Sequence, residues 1–249
     1  MSAESGPALL AKVIAHRGAS ADAPENTLAA LQLAAEQGAR CVEIDVSISA
    51  DGVPFVHHDD TLDRCTNGQG LLCEHTAVQL DCLDASKDMA SFSPQPLPRL
   101  SAVIALLDKH SLGLNLEIKP RAGLEAATVE AICAVIESSW PERLPLVYSS
   151  FSRASLSAAM QRLPTIPRAL LVGPIPDDWE ALVAQYECRN IHCDGAQLTT
   201  DQTKQLRKAE LGVYCYTVND SKLAKTLIDG GAHGIFTDYP QRLLSQLET

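Results

Sequence analysis

No stretch of about 18 consecutive apolar residues occurs in the 249-residue chain, so no transmembrane helix and no stable membrane insertion are expected. The opening residues, MSAESGPALLAKVIAHRG, lack both a basic leader and a long apolar core, which argues against a signal peptide. Positive charge is in deficit. Against 31 Asp and Glu stand 20 Lys and Arg, a net charge of −11, and this excludes a general nucleic-acid-binding surface. None of the eight cysteines forms a CxxC pair; scattered through apolar segments, they read as free buried thiols. No GxGxxG follows the first apolar run, which weakens a dinucleotide-binding fold. There is no low-complexity tract and no clear linker. What is present is 46% apolar and 20% charged residues, an ordinary globular composition.

Short apolar runs at 12–16, 41–48, 113–118, 145–149, 168–172, 190–194, 212–217 and 234–237 read as strands. Helical patterns lie between them. Leu28, Leu31 and Ala35 share a face before Gly38, a suitable stop. Leu100, Val103, Ile104 and Leu107 form a second stripe, and Trp179, Leu182, Val183 and Tyr186 a third behind acidic cap candidates. A fourth, at Leu223, Leu227 and Ile228, runs from an N-cap to a glycine stop. Eight strand–helix repeats in this length predict an α/β fold, a TIM (β/α)8 barrel, with a doubly wound open sheet as runner-up. Residues 1–249 then form one barrel domain. The stretch at about 61–98 fits neither period and reads as a small insertion over the barrel mouth.

A ninth apolar run, VPFVHH at 53–58, follows Asp51-Gly52, a strong two-residue hairpin signal. It reads as the returning arm of a hairpin after strand two. A turn centred on Asp51-Gly52 places Asp45 opposite His58.

Strand two, CVEIDVS, carries Glu43 and Asp45 two residues apart. Alternate residues share a face, so Val42, Ile44 and Val46 face the helices while Glu43 and Asp45 face the barrel interior or its mouth. LNLEIKP repeats the pattern, with Leu116 and Ile118 outward and Asn115, Glu117 and Lys119 inward. Buried carboxylates are costly unless paired or bound to metal. Glu43, Asp45 and Glu117 could form a salt-bridge cluster with Lys119 and Arg17. They could equally hold a divalent cation, and an all-oxygen donor set favours Mg²⁺ or Ca²⁺ over Zn²⁺. His16 ends strand one, where a barrel places its chemistry, and His58 reaches the same mouth in the hairpin register above. Two imidazoles flanking the carboxylates could act as general base and general acid. Alternation sends His57 to the other face. His75, His110, His192 and His233 show no partner pattern.

HRG at 16–18, PENT at 24–27, EIDV at 43–46, DG at 51–52, HDDTLDR at 58–64 and LEIKP at 116–120 together resemble the glycerophosphodiester phosphodiesterases, closest to the cytosolic bacterial type. SSF at 149–151, TVN at 217–219 and TDYP at 237–240 match as well. The resemblance implies a cytoplasmic TIM barrel that uses one divalent cation, Mg²⁺ or Ca²⁺, to hydrolyse small glycerophosphodiesters to sn-glycerol 3-phosphate and an alcohol. It implies Glu43, Asp45 and Glu117 as metal ligands and His16 and His58 as the acid–base pair. Arg17 and Lys119 match phosphate-contacting residues. Tyr216 stands before TVN where many members carry Trp, at the headgroup or glycerol wall.

Other readings use the same residues. An amidohydrolase on this barrel usually shows HxH on strand one, which AHRG lacks. A non-catalytic binding module would not need both histidines and all three carboxylates. A lysophospholipid-directed relative needs an apolar groove, and 65–98 contains no strongly hydrophobic segment.

Overall fold

The short apolar runs pair in parallel and close on themselves in a computed structural model that describes residues 6–7, 10–87, 89 and 91–247. The strands are β1 (Val13–His16), β2 (Cys41–Ile48), β3 (Pro54–Val56), β4 (Gly113–Ile118), β5 (Leu146–Ser150), β6 (Arg168–Leu171), β7 (Asn190–Asp194), β8 (Gly212–Tyr216) and β9 (Gly234–Thr237). All but β3 form the barrel. Its order runs β1-β9-β8-β7-β6-β5-β4-β2, and β1 also pairs with β2, which closes the ring and excludes the open doubly wound sheet.

The helices are α1 (Leu28–Glu36), α2 (Ala77–Leu80), α3 (Leu100–His110), α4 (Glu125–Ser139), α5 (Arg153–Arg162), α6 (Trp179–Gln185), α7 (Thr200–Lys208), α8 (Ser221–Asp229) and α9 (Pro240–Leu247). Apart from the short α2, they pack the outer layer. The four α3 stripe residues are buried against Val42, Ile44, Val46, Leu116 and Ile118, the outward-facing residues of β2 and β4. Each such side chain contributes about 1.5–3 kcal/mol by leaving water. On α1 the buried residues are Ala30, Leu31 and Ala34, so its stripe is centred one residue off the expected Leu28, Leu31 and Ala35. Asp178 occupies the N-cap of α6, but its side chain makes no capping bond; Asp220 at α8 does, accepting from Leu223 N–H at 2.8 Å.

The hairpin exists, but its register differs from the one expected. Ser49 N–H donates to Val53 O and Gly52 N–H to Ser49 O, with positive φ in the loop only at Gly52. This is a three-residue loop with glycine at its left-handed position, whereas a two-residue type I′ turn would require positive φ at Asp51 as well. The ladder therefore pairs Val46 with Val56 and Ile48 with Pro54, and His57, not His58, donates its N–H to Asp45 O. β3 stops at Val56. The chain then bends, and the His57 ring is drawn away to the Thr61 carbonyl at 2.8 Å.

The insertion is built around its own apolar core of Phe55, Leu62, Leu72, Ala77, Leu80, Ala85 and Leu97. Ion pairs from Arg64 to Glu25 and from Arg121 to Asp60 fasten its first residues to the loops after β1 and β4, on the strands' C-terminal side. They place the start of the insertion at the rim on that side, and none of its residues lines the cavity inside.

Candidate active site

β1 ends in a sharp turn. Arg17 and Gly18 both have positive φ, 58° and 85°, and a Cβ at Gly18 would lie 2.6 Å from the Ala30 carbonyl carbon. Glycine is required there by space as well as by conformation. The turn aims Arg17 N–H at Glu43, whose backbone O and side-chain Oε2 each accept at 3.0 Å. Such local strain is characteristic of sites whose surroundings over-determine the backbone. Asn26, also in the left-handed region, donates from Nδ2 to Asp45 Oδ2 at 2.9 Å.

Glu43 and Asp45 are buried inside the mouth, with Glu117 on the neighbouring strand directly beside Asp45 in the ladder. One oxygen from each lies within 4.8 Å of the others. Arg17 Nε approaches Asp45 Oδ2 at 3.3 Å, and Lys119 Nζ lies 3.6 Å from Glu117 and 3.8 Å from Asp45. These are the pairs of the salt-bridge reading. They do not neutralise the cluster, because Arg17 also serves Glu25 at 2.9 Å. Burial, with Asp45 and Glu117 alongside, pushes the Glu43 carboxyl far above its ordinary range. Burial and then Asp45 push Glu117 up to about 7. Burial opposes ionisation of Asp45 too, yet Arg17, then His58 and Lys119, hold it below the ordinary range. Glu43 Oε1 is buried without any hydrogen-bond partner. Three converging carboxylates, one with an unpaired oxygen and two reluctant to ionise, fit a hard dication.

The two histidines flank this cluster, and each is held from behind. His16 Nδ1 lies 2.7 Å from Asp238 Oδ1, and its Nε2 faces Glu43 Oε2 at 3.9 Å. His58 Nδ1 lies 2.6 Å from Asp59 Oδ1. A carboxylate at Nδ1 fixes the tautomer and leaves Nε2 for the cavity. Asp238 receives further bonds from Ser20 and Asn219; despite burial, the His16 bond brings its carboxyl down to about 2. Arg64 grips Asp59 and Glu25 together, so one chain of alternating charge runs Asp59, Arg64, Glu25, Arg17, Asp45. Burial lowers the His58 imidazole despite the pull of Asp45.

One cavity of about 190 Å³ is lined by His16, Arg17, Glu43, His58, Glu117 and Lys119. Its wall includes Tyr216, whose hydroxyl donates to Val172 O at 2.6 Å and whose ring meets Phe151 edge-on. Of the site residues singled out in the sequence, all but Asp45 line this cavity; Asp45 joins them through the carboxylate cluster, and His57 is not in the lining. Asp59, Asp238, Glu25 and Asn26 were missed. HDD and TDYP contain two of them, but an aspartate beside a histidine, or 222 residues from one, carries no signal until the barrel closes.

Fixed cations beside two tethered imidazoles suit displacement of an alcohol from phosphorus, and the class that fold and cavity define is that of barrel hydrolases acting on phosphate esters. The model of the glycerophosphoryl diester phosphodiesterase family matches residues 16–242, and the chain belongs to that family. A glycerophosphodiester phosphodiesterase of Caldanaerobacter subterraneus subsp. tengcongensis is 31% identical over 236 residues, spanning 94% of this chain and 96% of that protein. One of Bacillus altitudinis is likewise 31% identical, over 94% and 96%. Among solved structures, an Oleispira antarctica phosphodiesterase in complex with the product sn-glycerol 3-phosphate superposes with a TM-score of 0.94 at 38% identity, covering 96% of this chain and 98% of that one.

Proposed function

We propose that this enzyme hydrolyses small glycerophosphodiesters to sn-glycerol 3-phosphate and an alcohol, using His16 and His58 as the acid–base pair and a divalent cation, Mg²⁺ or Ca²⁺, held by Glu43, Asp45 and Glu117. The observation that carries this reading is the pair of carboxylate-tethered imidazoles facing three under-neutralised carboxylates in one cavity. The product bound to the Oleispira antarctica relative supports the choice of substrate. The cation, when bound, would neutralise charge developing on the phosphate oxygens.

The chain's own residues do the rest. Arg17 and Lys119 offer fixed positive charge to the phosphate at the cluster's edge. One imidazole Nε2 accepts the proton of the attacking hydroxyl as its oxygen bonds to phosphorus; where that hydroxyl is water's the product forms directly, and where it is the substrate's glycerol hydroxyl, water afterwards opens the cyclic phosphate, with the two histidines exchanging roles. The other Nε2 gives a proton to the alcohol oxygen as its bond to phosphorus breaks. Asp238 and Asp59 hold each ring in the tautomer this requires. Tyr216, fixed through its hydroxyl, presents its ring as a wall to glycerol or headgroup. All eight cysteines are free thiols, which supports a reducing, cytoplasmic setting. No described helix is long and apolar enough to cross a membrane.

The test is release of glycerol 3-phosphate from glycerophosphocholine or glycerophosphoethanolamine, read by a coupled dehydrogenase. EDTA should abolish release, and Mg²⁺ or Ca²⁺ should restore it. Glu43→Gln, Asp45→Asn and Glu117→Gln should each lose activity while keeping wild-type circular dichroism. Full activity in rigorously metal-free protein would overturn the metal assignment, and failure on every glycerophosphodiester would overturn the reaction.

A further inference from the structure

His192, on β7, is a fully buried ionisable side chain that this mechanism leaves unused. Its relative exposure is 0%, and neither ring nitrogen has a hydrogen-bond partner. Burial alone lowers its pKa to about 3, so the ring is neutral, with one N–H to give and one lone pair to receive. Buried polar atoms without partners are few in folded proteins, and each calls for a reason. The ring lines the catalytic cavity at its inner end. Beneath it the barrel is shut: Tyr214 packs edge-on to the ring and turns its hydroxyl away to accept the Leu10 N–H at 2.7 Å.

A second such atom belongs to the same cavity. Asn115, on β4, is buried and donates from Nδ2 to Ser149 Oγ at 3.0 Å, but its Oδ1 has no partner. Asn115 sits in register with Glu43, so the floor lies directly inside the proposed phosphate site. Ser149, its Oγ already engaged by Asn115, lines the cavity too, together with the apolar Leu171 and Phe236. One neutral donor, two neutral acceptors and no charge at the closed end of a small cavity match an uncharged, hydroxyl-bearing fragment. They do not match a second phosphate or a cationic headgroup.

We infer that His192 and Asn115 form a polyol-recognition floor that reads the free hydroxyls of the substrate's glycerol moiety, leaving the variable alcohol to the open side of the mouth. This rests on the phosphodiesterase reading for the position of the phosphate. Because the ring is fully buried, a hydroxyl reaches it only as neighbouring side chains such as Phe236, whose ring centroid lies 5.0 Å away, give way slightly. A floor that hydrogen-bonds a hydroxyl also discriminates against ligands lacking one, because its polar atoms then stay unpaired.

The experiment compares binding of sn-glycerol 3-phosphate and propyl phosphate, which has the same carbon chain without the hydroxyls, by calorimetry in Mg²⁺ buffer. Wild type should prefer glycerol 3-phosphate by about tenfold or more, the scale of one or two net hydrogen bonds. In His192→Phe, which keeps an aromatic ring against Tyr214 and Phe236, the ratio should fall towards one. His192→Gln, whose carboxamide again offers a neutral donor and acceptor, should recover part of it. Wild-type protein with ¹⁵N-labelled imidazoles gives a readout that no variant's folding can spoil: the His192 signals should move with glycerol 3-phosphate and not with propyl phosphate. Equal affinity of wild type for the two ligands, an unchanged ratio in His192→Phe, or unmoved His192 signals would each overturn the inference. A His192-dependent preference in a protein that hydrolyses no glycerophosphodiester would instead overturn the reaction while leaving the floor standing.

Discussion

Asp238→Asn separates the tether of His16 from the imidazole itself. Asp238 Oδ1 lies 2.7 Å from His16 Nδ1, and Ser20 and Asn219 hold the carboxylate in place at 3.0 and 2.7 Å. An ionised carboxylate only accepts, so it fixes the proton on Nδ1 and leaves Nε2 free; an amide can donate or accept, and the tautomer is released. Acid–base groups contribute about 10²–10⁴-fold, so kcat should fall by about 10² or more with little change in KM. The same substitution has a signature in stability. The Asp238 carboxyl is lowered from 3.8 to about 2, and a full unit is worth about 1.4 kcal/mol. With the side chain 29% exposed, screening leaves on the order of 1 kcal/mol. A depressed carboxyl stabilises the fold above its unfolded pKa and loses that contribution as pH falls through its folded value. The gap in urea midpoint between wild type and Asp238→Asn should therefore be full above about pH 4 and shrink as pH drops towards 2. Wild-type kcat in the variant would refute the tether, and a gap constant down to pH 3 would refute its electrostatic origin.

Two further substitutions divide the site from its supports. His58→Ala should lower turnover by about 10²-fold or more, whereas His57→Ala should affect stability instead, costing about 1 kcal/mol by removing the bond to the half-buried Thr61 carbonyl; turnover and chemical denaturation of both variants decide it, and the reverse pattern would show that the bend after Val56 has been misread. Gly18→Ala should destabilise by more than about 1 kcal/mol, because φ is 85° and the new Cβ meets backbone; a thermal midpoint equal to wild type would contradict the close approach.

Much of this was legible in the sequence, because period-two alternation survives wherever a strand separates helix layer from interior. Val42, Ile44 and Val46 against Glu43 and Asp45 fixed both the strand and its chemical face. Ring closure was less direct, since it needs β1 to pair with β9 at the far end of the chain, which local pattern does not join. The hairpin register failed for a local reason: Asp-Gly is shared by the two-residue turn and by the three-residue loop observed, and only the φ of Asp51 tells them apart. His58 nevertheless reached the mouth, through a bend that alternation cannot express. Neither the aspartates behind the histidines nor the partnerless His192 could be assigned, because each acquires meaning only from side chains far away in the chain.

The insertion shares its apolar core with Phe55 of the hairpin, while its link to the chemistry runs through His58, Asp59, Arg64 and the bend they share. Proton transfer and steric surroundings are thereby divided between separate stretches of chain. The residues from 65 to 98 contribute no side chain to the cavity, so a change of sequence there leaves the charge string from Asp59 to Asp45 in place.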